Sequence, residues 1–211
     1  MSIIGPTRRT LLSVTAGATA LTIAASFSPA HSAVDIDGIL HDPETPTGGN
    51  PAGDVIIVAF TDYNCPFCKK SEPDLQKIVK DDGHIRLVYK DWPILAASSV
   101  FGARMALAAK FQDRYEPAHS TLMALPGPGL TEDKMQSALS ASGIDMARMQ
   151  SDLDVHADTI TSILKRTMSQ ADSLHLQGTP TYLIGPFRTS TLDYAGFKLA
   201  IADARKRQSQ K

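Results

Sequence analysis

Two cysteines, separated by Pro66 and Phe67, form Cys65-Pro66-Phe67-Cys68, and the chain contains no others. Thiols at this spacing can cycle between dithiol and disulfide, ligate a metal, or carry a covalently attached haem. A zinc site needs two further thiolate or imidazole ligands at close spacing, and the sequence has no second C-x-x-C and no H-x3-5-H pair. Haem attachment needs His directly after the second Cys, where Lys69 stands. Any intramolecular disulfide must join Cys65 to Cys68. That bridge closes too short a loop to restrain an unfolded chain much, which argues against a purely structural role. The spacing therefore points to redox exchange.

A dithiol of this kind must be carried by a strand and a helix. Val55 to Phe60 is a continuous apolar run, as expected of a central strand covered on both faces, and it leads straight into the motif. A helix is predicted from Cys65 to about Lys80. Pro66 falls in its first turn, where a missing N–H is harmless, and Pro73 falls inside it, where a kink is expected. His84 to Lys90 alternates apolar and polar residues and reads as the next strand, completing a βαβ unit. From 94 to 176 no convincing strand appears. Apolar spacing and stop signals predict helices near 96–111, 113–125, 131–141 and 145–175, the last in one or two pieces. Pro126-Gly127-Pro128-Gly129 is a hard break, and Thr131 caps the restart. Thr181 to Ile184 reads as a short strand after Gly178-Thr179-Pro180. Asp193 to Lys206 reads as an amphipathic helix with Phe197, Leu199, Ala200 and Ile201 facing inward. The fold class is α/β, divided into a signal (1–33), an arm (34–53), a first half (54–93), a helical insert (94–176) and a second half (177–211). The Pro- and Gly-rich arm is expected to hold at most a short edge strand around Val34 to Leu40.

The N-terminus bears on the compartment. Arg8 and Arg9 precede an apolar but Ser-, Thr- and Gly-diluted stretch from Leu11 to Phe27, and small residues around Ala30 to Ala33 offer a cleavage site. Thr7-Arg8-Arg9-Thr10-Leu11-Leu12 is of twin-arginine type, with Ser13 where Lys is usual. Such a leader predicts export to the periplasm, where disulfides are made. The formal net charge is −1 for the whole chain, and removing Arg8 and Arg9 makes it more negative. That balance gives no reason to expect nucleic acid or an anionic membrane as a partner.

Four stretches carry a resemblance: Phe60-Thr-Asp-Tyr-Asn-Cys-Pro-Phe-Cys-Lys69, Trp92-Pro93-Ile94-Leu95, the helical region, and Gly178-Thr179-Pro180-Thr181. Together, over about residues 50 to 206, they resemble the DsbA-like thiol–disulfide oxidoreductases of the thioredoxin superfamily. The F-x-D-Y-x-C-P-x-C form is most similar to the ScsC-like and alpha-proteobacterial DsbA-like branch. The resemblance implies a thioredoxin-like fold with a helical domain inserted between its βαβ half and its cis-Pro half. It implies no cofactor beyond the Cys65–Cys68 disulfide. The implied partners are unfolded or reduced exported client proteins and a membrane redox partner protein.

Cys65 is then expected to be the attacking cysteine, exposed at the helix N-terminus, with Cys68 as the more buried resolving partner. Thr179-Pro180 is similar to the family's cis-proline loop and would pair with an extended client beside Cys65. Pro66 and Phe67 would tune the thiolate. Phe67 offers no hydrogen-bond donor and Thr179 stands before the proline, so a weaker oxidant is expected. Where the family often has a buried Glu, six residues before the first Cys, this chain has Ala59. Glu72 and Asp62 are the nearest acids in sequence and the candidates for a proton relay. Lys69 and Lys70 are weak candidates for thiolate stabilisation. His84, His119, His156 and His175 read as surface or helix-cap residues. A disulfide isomerase or reductant kept reduced by a membrane partner is the alternative of the same class. The short arm lacks an oligomerisation segment, which favours a monomer and an oxidase. The alternative of another class is a copper-binding metallochaperone using the same thiols, with Met135, Met146, Met149 and Met168 as soft sulfur ligands.

Overall fold

The computed structural model describes residues 34–210, so the expected signal at 1–33 lies outside the described residues. The order is α1 (Ile36–Leu40), β1 (Thr47–Gly49), β2 (Val55–Thr61), α2 (Pro66–Asp82), β3 (Ile85–Asp91), α3 (Ala97–Ala109), α4 (Tyr115–Ala124), α5 (Glu132–Ala141), α6 (Met146–Val155), α7 (Ala157–Ser173), β4 (Thr181–Ile184), β5 (Phe187–Thr189) and α8 (Tyr194–Gln208). The five strands form one sheet in the order β1-β3-β2-β4-β5. This is an α/β, thioredoxin-like fold with a helical region between β3 and β4.

The apolar run Val55 to Phe60 takes the centre because both its faces are covered. Val55, Ile57 and Ala59 face a core shared with Leu75 of α2 and Phe197 of α8, while Val58 and Phe60 face Ile39, Trp92 and Ala171. β3 runs parallel to β2 from Val55↔Ile85 to Thr61↔Asp91, and β4 runs antiparallel on its other side. A parallel pair needs a long crossover, which α2 supplies, running as one helix through Pro73 and stopping at Gly83, whose φ of 70° is the left-handed C-cap. The insert buries its own apolar stripe: Met135 and Leu139 of α5, Met149 of α6, and Ile160 and Ile163 of α7 pack with α3 in the core shared with β2. Among the described residues no helix is long and apolar enough to cross a membrane.

Three details correct the sequence reading. Val34 to Leu40 is not an edge strand. Asp35 accepts the Gly38 N–H at 2.9 Å and caps α1, which buries Ile39 against β2, and the edge strand comes later as β1, antiparallel to β3. β5 was not anticipated. Gly185 at φ 54° and Pro186 turn the chain sharply enough for Phe187 to pair back with Ile184. In α8 the buried face is Phe197, Ile201 and Ala204, whereas Leu199 is 65% exposed, because two residues turn a helix by about 200°. The arm is fastened by Arg166 of α7, whose guanidinium donates to Asp42 at 2.6 Å and Glu44 at 2.9 Å.

Candidate active site

β2 delivers the chain to a tight turn, Asp62-Tyr63-Asn64, and α2 begins at Pro66 with Cys65 as its N-cap. Asp62 holds the turn. Its two carboxylate oxygens accept from Asn64 N (2.7 Å), Ser99 Oγ (2.7 Å), Ile94 N (2.8 Å) and Leu95 N (3.0 Å). Asn64 continues the tie into the insert, donating to Ser98 and Ser99 and accepting from Leu130 N at 2.8 Å. The Trp92-Pro93-Ile94-Leu95 stretch is thus the loop that Asp62 anchors beside the dithiol.

Cys65 is 2% exposed, not exposed as the sequence suggested. The Thr179–Pro180 bond is cis, and the Cys65 thiol donates to the Thr179 carbonyl at 3.1 Å. The Cys68 N–H points back to Cys65 Sγ at 3.3 Å. Hydrogen bonding from the Cys68 side chain lowers the Cys65 pKa most, burial opposes it, and the Thr179 side chain and the N–H groups of Cys68 and Phe67 add to the lowering. The outcome is about 6, against an ordinary 9.0. Burial pushes Cys68 the opposite way, well above the ordinary thiol range, and the charge on Cys65 adds to the rise. Both cysteines are free. The two environments thus pull the thiols in opposite directions, Cys65 toward the thiolate and Cys68 toward the neutral thiol.

Phe67 is 59% exposed and projects from the first turn of α2. It lines a cleft of about 490 Å³ together with Leu176, Thr179, Pro180, Arg188 and Thr189. A second cleft, of about 470 Å³, opens on the other side of α2 between Pro66, Lys69, Glu72, Met123 and Pro126. The Lys69 ammonium donates to the Leu125 carbonyl at 2.6 Å and so caps the C-terminal end of α4, while the charges of Cys68, Asp62 and Cys65 also act on it.

Glu72 is buried, and so is His119, which the sequence placed at the surface. His119 Nε2 lies 3.2 Å from Glu72 Oε1, and its Nδ1 is 3.0 Å from the Tyr63 hydroxyl. Gln76 also donates to Glu72 Oε1 at 2.7 Å. Burial alone would raise the Glu72 pKa, but the His119 charge outweighs it and holds the carboxyl below its usual range. Burial would likewise lower His119, yet Glu72, Asp91 and Glu116 together raise it. Both shifts run in the direction that favours the ion pair, and the 3.2 Å contact joins α2 to α4. Asp91, at the end of β3, accepts from Tyr115 at 2.9 Å beside the same cluster. None of this was visible beforehand, because 47 residues separate Glu72 from His119 and no local pattern marks a buried histidine.

Met135 and Met149 are core residues of the insert, while Met168 accepts the Trp92 indole N–H at 3.3 Å on the opposite sheet face. The four methionine sulfurs named as copper ligands are not gathered into one place. His156 stacks on Phe111 at 3.6 Å between centroids and links α6 to α7.

The comparisons with known proteins agree with this architecture. A family model described as Thioredoxin matches residues 41–203, and the chain belongs to that family. A thioredoxin-like oxidoreductase from Silicibacter pomeroyi DSS-3 is 35% identical, with a TM-score of 0.76, over 82% of this chain and 98% of that one. The thiol-disulfide exchange protein alpha-DsbA2 from Wolbachia pipientis is 25% identical, with a TM-score of 0.74, over 79% and 90%. Within the family the chain is thus similar to DsbA-like thiol–disulfide oxidoreductases. It is also 26% identical over 153 residues to the Na(+)/H(+) antiporter NhaA 1 of Mycobacterium sp. (strain KMS), covering 68% of this chain but only 25% of the antiporter's length.

Proposed function

We propose that this chain is an exported, periplasmic thiol–disulfide oxidoreductase that forms or exchanges disulfides in client proteins through Cys65 and Cys68. The observation that carries this reading is the placement of the two thiols, with Cys65 Sγ at the N-cap of α2, 3.3 Å from the Cys68 N–H and 3.1 Å from the Thr179 carbonyl, and Cys68 buried behind it. In the oxidising direction a client thiolate attacks Cys65 Sγ. The new bond joins client sulfur to Cys65, the Cys65–Cys68 bond breaks, and Cys68 leaves with the electron pair and takes up a proton. The client's second thiolate then attacks its own bridged sulfur and expels Cys65 as thiolate. The client has lost two electrons and the dithiol has gained them, to be passed to a membrane redox partner protein. Thr179 and Pro180 align the extended client, and Pro66 and Phe67 shape the first turn it meets. Glu72, which lines the cleft beside α2, is the residue we assign to proton transfer from solvent. Asp62, with both oxygens occupied, we assign to holding the turn. The chain works as a monomer.

The test is direct. Oxidised protein mixed with a reduced two-thiol peptide is expected to transfer its disulfide one for one, and the Cys65→Ser variant to transfer none. A wild-type protein that leaves the peptide reduced would end the proposal. A second expectation concerns poise. The Phe67 side chain gives the thiolate no donor, so the potential is expected nearer to about −180 mV than to about −120 mV. Phe67→His is expected to raise it by about 30 mV, equal to ~1.4 kcal/mol for the two-electron couple. Equilibration with glutathione measures this, and a shift in the reducing direction would show that the spacer does not set the poise.

A further inference from the structure

The cleft beside Phe67 carries a charge that the exchange steps above leave unused. Thr179 and Pro180 line this cleft, and the Thr179 carbonyl lies 3.1 Å from Cys65 Sγ, so the cleft opens next to the nucleophile. Arg188 lines it as well. That residue is the middle of β5, the edge strand of the sheet, where it pairs with Leu183 of β4. One of its guanidinium nitrogens, Nη1, donates to the Leu174 carbonyl at 2.8 Å, at the C-terminal end of α7. From Leu174 the chain reaches Thr179 in five residues, which span at most about 18 Å. An extended client would cover the same distance in about five residues.

No carboxylate answers this charge. Among the described residues Arg188 forms no ion pair, whereas Arg166 pairs with Asp42 and Glu44, and Arg205 pairs with Asp54 and Asp82. The described residues that line the cleft include no Asp and no Glu. His175, which also lines it, adds no negative charge in either protonation state. A guanidinium has five N–H donors in a planar fork that fits a carboxylate, and the bond to Leu174 uses one of them. Arg188 is exposed, so the others are open to a bound chain. Long-range attraction does not favour acidic chains here, because the whole protein has a formal net charge of −1. A preference for acid would have to arise in the cleft itself.

We propose that Arg188 is a specificity-determining residue for the client. The cleft selects an extended thiol chain with a carboxylate side chain within about five residues of the cysteine that attacks Cys65. Phe67 supplies apolar contact, Thr179 and Pro180 align the client backbone, and Arg188 supplies the charge. This deepens the exchange reading of the site and rests on it. Arg188 takes no part in the sulfur exchange and acts on which chain is held beside Cys65.

The test uses two-thiol peptides that differ at one residue, Glu, Gln or Lys, walked through the positions within about five residues of the first cysteine. With oxidised wild-type protein, kcat/KM is expected to favour Glu over Lys by about fivefold at one or more positions, the scale of a partly exposed ion pair. The ratio is expected to fall toward one in about 1 M salt, which screens exposed charges. Arg188→Gln is expected to abolish the preference, Arg188→Glu to reverse it, and Arg188→Lys to keep part of it. Lys206→Gln, which removes the same charge from the last turn of α8, is expected to leave the ratio unchanged. Because each ratio is taken within one variant, a general loss of activity cancels from it. No Glu preference at any position in the wild type would overturn the inference. So would a preference that survives Arg188→Gln, and if that variant also lowered the thermal midpoint, Arg188 would be only the cap of α7. Failure of the parent reading looks different: wild-type protein would oxidise none of the peptides, the Gln series included.

Discussion

Iodoacetamide is expected to modify Cys65 alone in the reduced protein, along a titration curve centred at about pH 6. The thiolate is the nucleophile, so the rate follows its fraction and falls about tenfold per pH unit below the midpoint. What lowers Cys65 is first the hydrogen bond from the Cys68 side chain, then the donors gathered at the start of α2. A helix N-terminus presents N–H groups that no carbonyl of the helix can satisfy, and a thiolate at the N-cap satisfies them. Cys68 lies inside the first turn, where burial outweighs the hydrogen bonds that Asp62 and Thr179 offer it. The same shift appears in stability. The folded pKa of Cys65 lies below its ordinary 9.0, so the thiolate stabilises the reduced protein fully above that value and loses the effect as pH falls through about 6. The disulfide form has no such group. The stability of the reduced protein relative to the oxidised one is therefore expected to rise with pH across that window, which paired urea titrations would show. Modification centred on Cys68, or a midpoint near 9.0, would remove the basis of the assigned roles.

The dithiol was legible because its chemistry is written in four consecutive residues and its carriers obey strong local rules. A fully apolar strand, a Pro at the first helical turn and an alternating second strand each state their role within a short window. The helices of the insert were legible for the same reason, from spacing and caps such as Thr131. Short elements were not. β5 has three residues, and only the Gly185-Pro186 turn marks it. Leu199 shows how spacing misleads: Phe197, Leu199, Ala200 and Ile201 cannot all share one helical face, and only the packing of α8 chooses among them. Burial of polar groups was the least legible feature. Asp62, Glu72 and His119 look like ordinary residues in the chain, and what distinguishes them is the partner each one meets.

His119→Ala is expected to destabilise the protein by about 3–5 kcal/mol, the usual penalty for leaving one member of a buried ion pair unpaired. His119 is 1% exposed and surrounded by the rings of Tyr63, Tyr89 and Tyr115, with the carboxylates of Glu72, Asp91 and Glu116 acting on it. Removing the imidazole leaves Glu72 a buried carboxyl supported by Gln76 alone, costly to keep ionised at neutral pH. It also leaves a cavity between α2 and α4 and frees the Tyr63 hydroxyl, two residues from Cys65. The charge and cavity effects are separable by pH. In the wild type the folded pKa of Glu72 is depressed, so its contribution is present above the ordinary carboxylate range and is lost on acidification. His119 is raised, so its contribution is present on the acid side of its ordinary value and is lost as pH rises through the folded value. In His119→Ala the sign for Glu72 reverses, because a lone buried carboxyl prefers to be protonated. The destabilisation is therefore expected to shrink as pH falls into the carboxylate range, and to shrink at neutral pH when Glu72→Gln is added. Urea unfolding of the single and double variants at two pH values measures both. A deficit that ignores pH and survives Glu72→Gln would mean that His119 acts by filling space, and that the charge on Glu72 is not what binds the insert to the active-site helix.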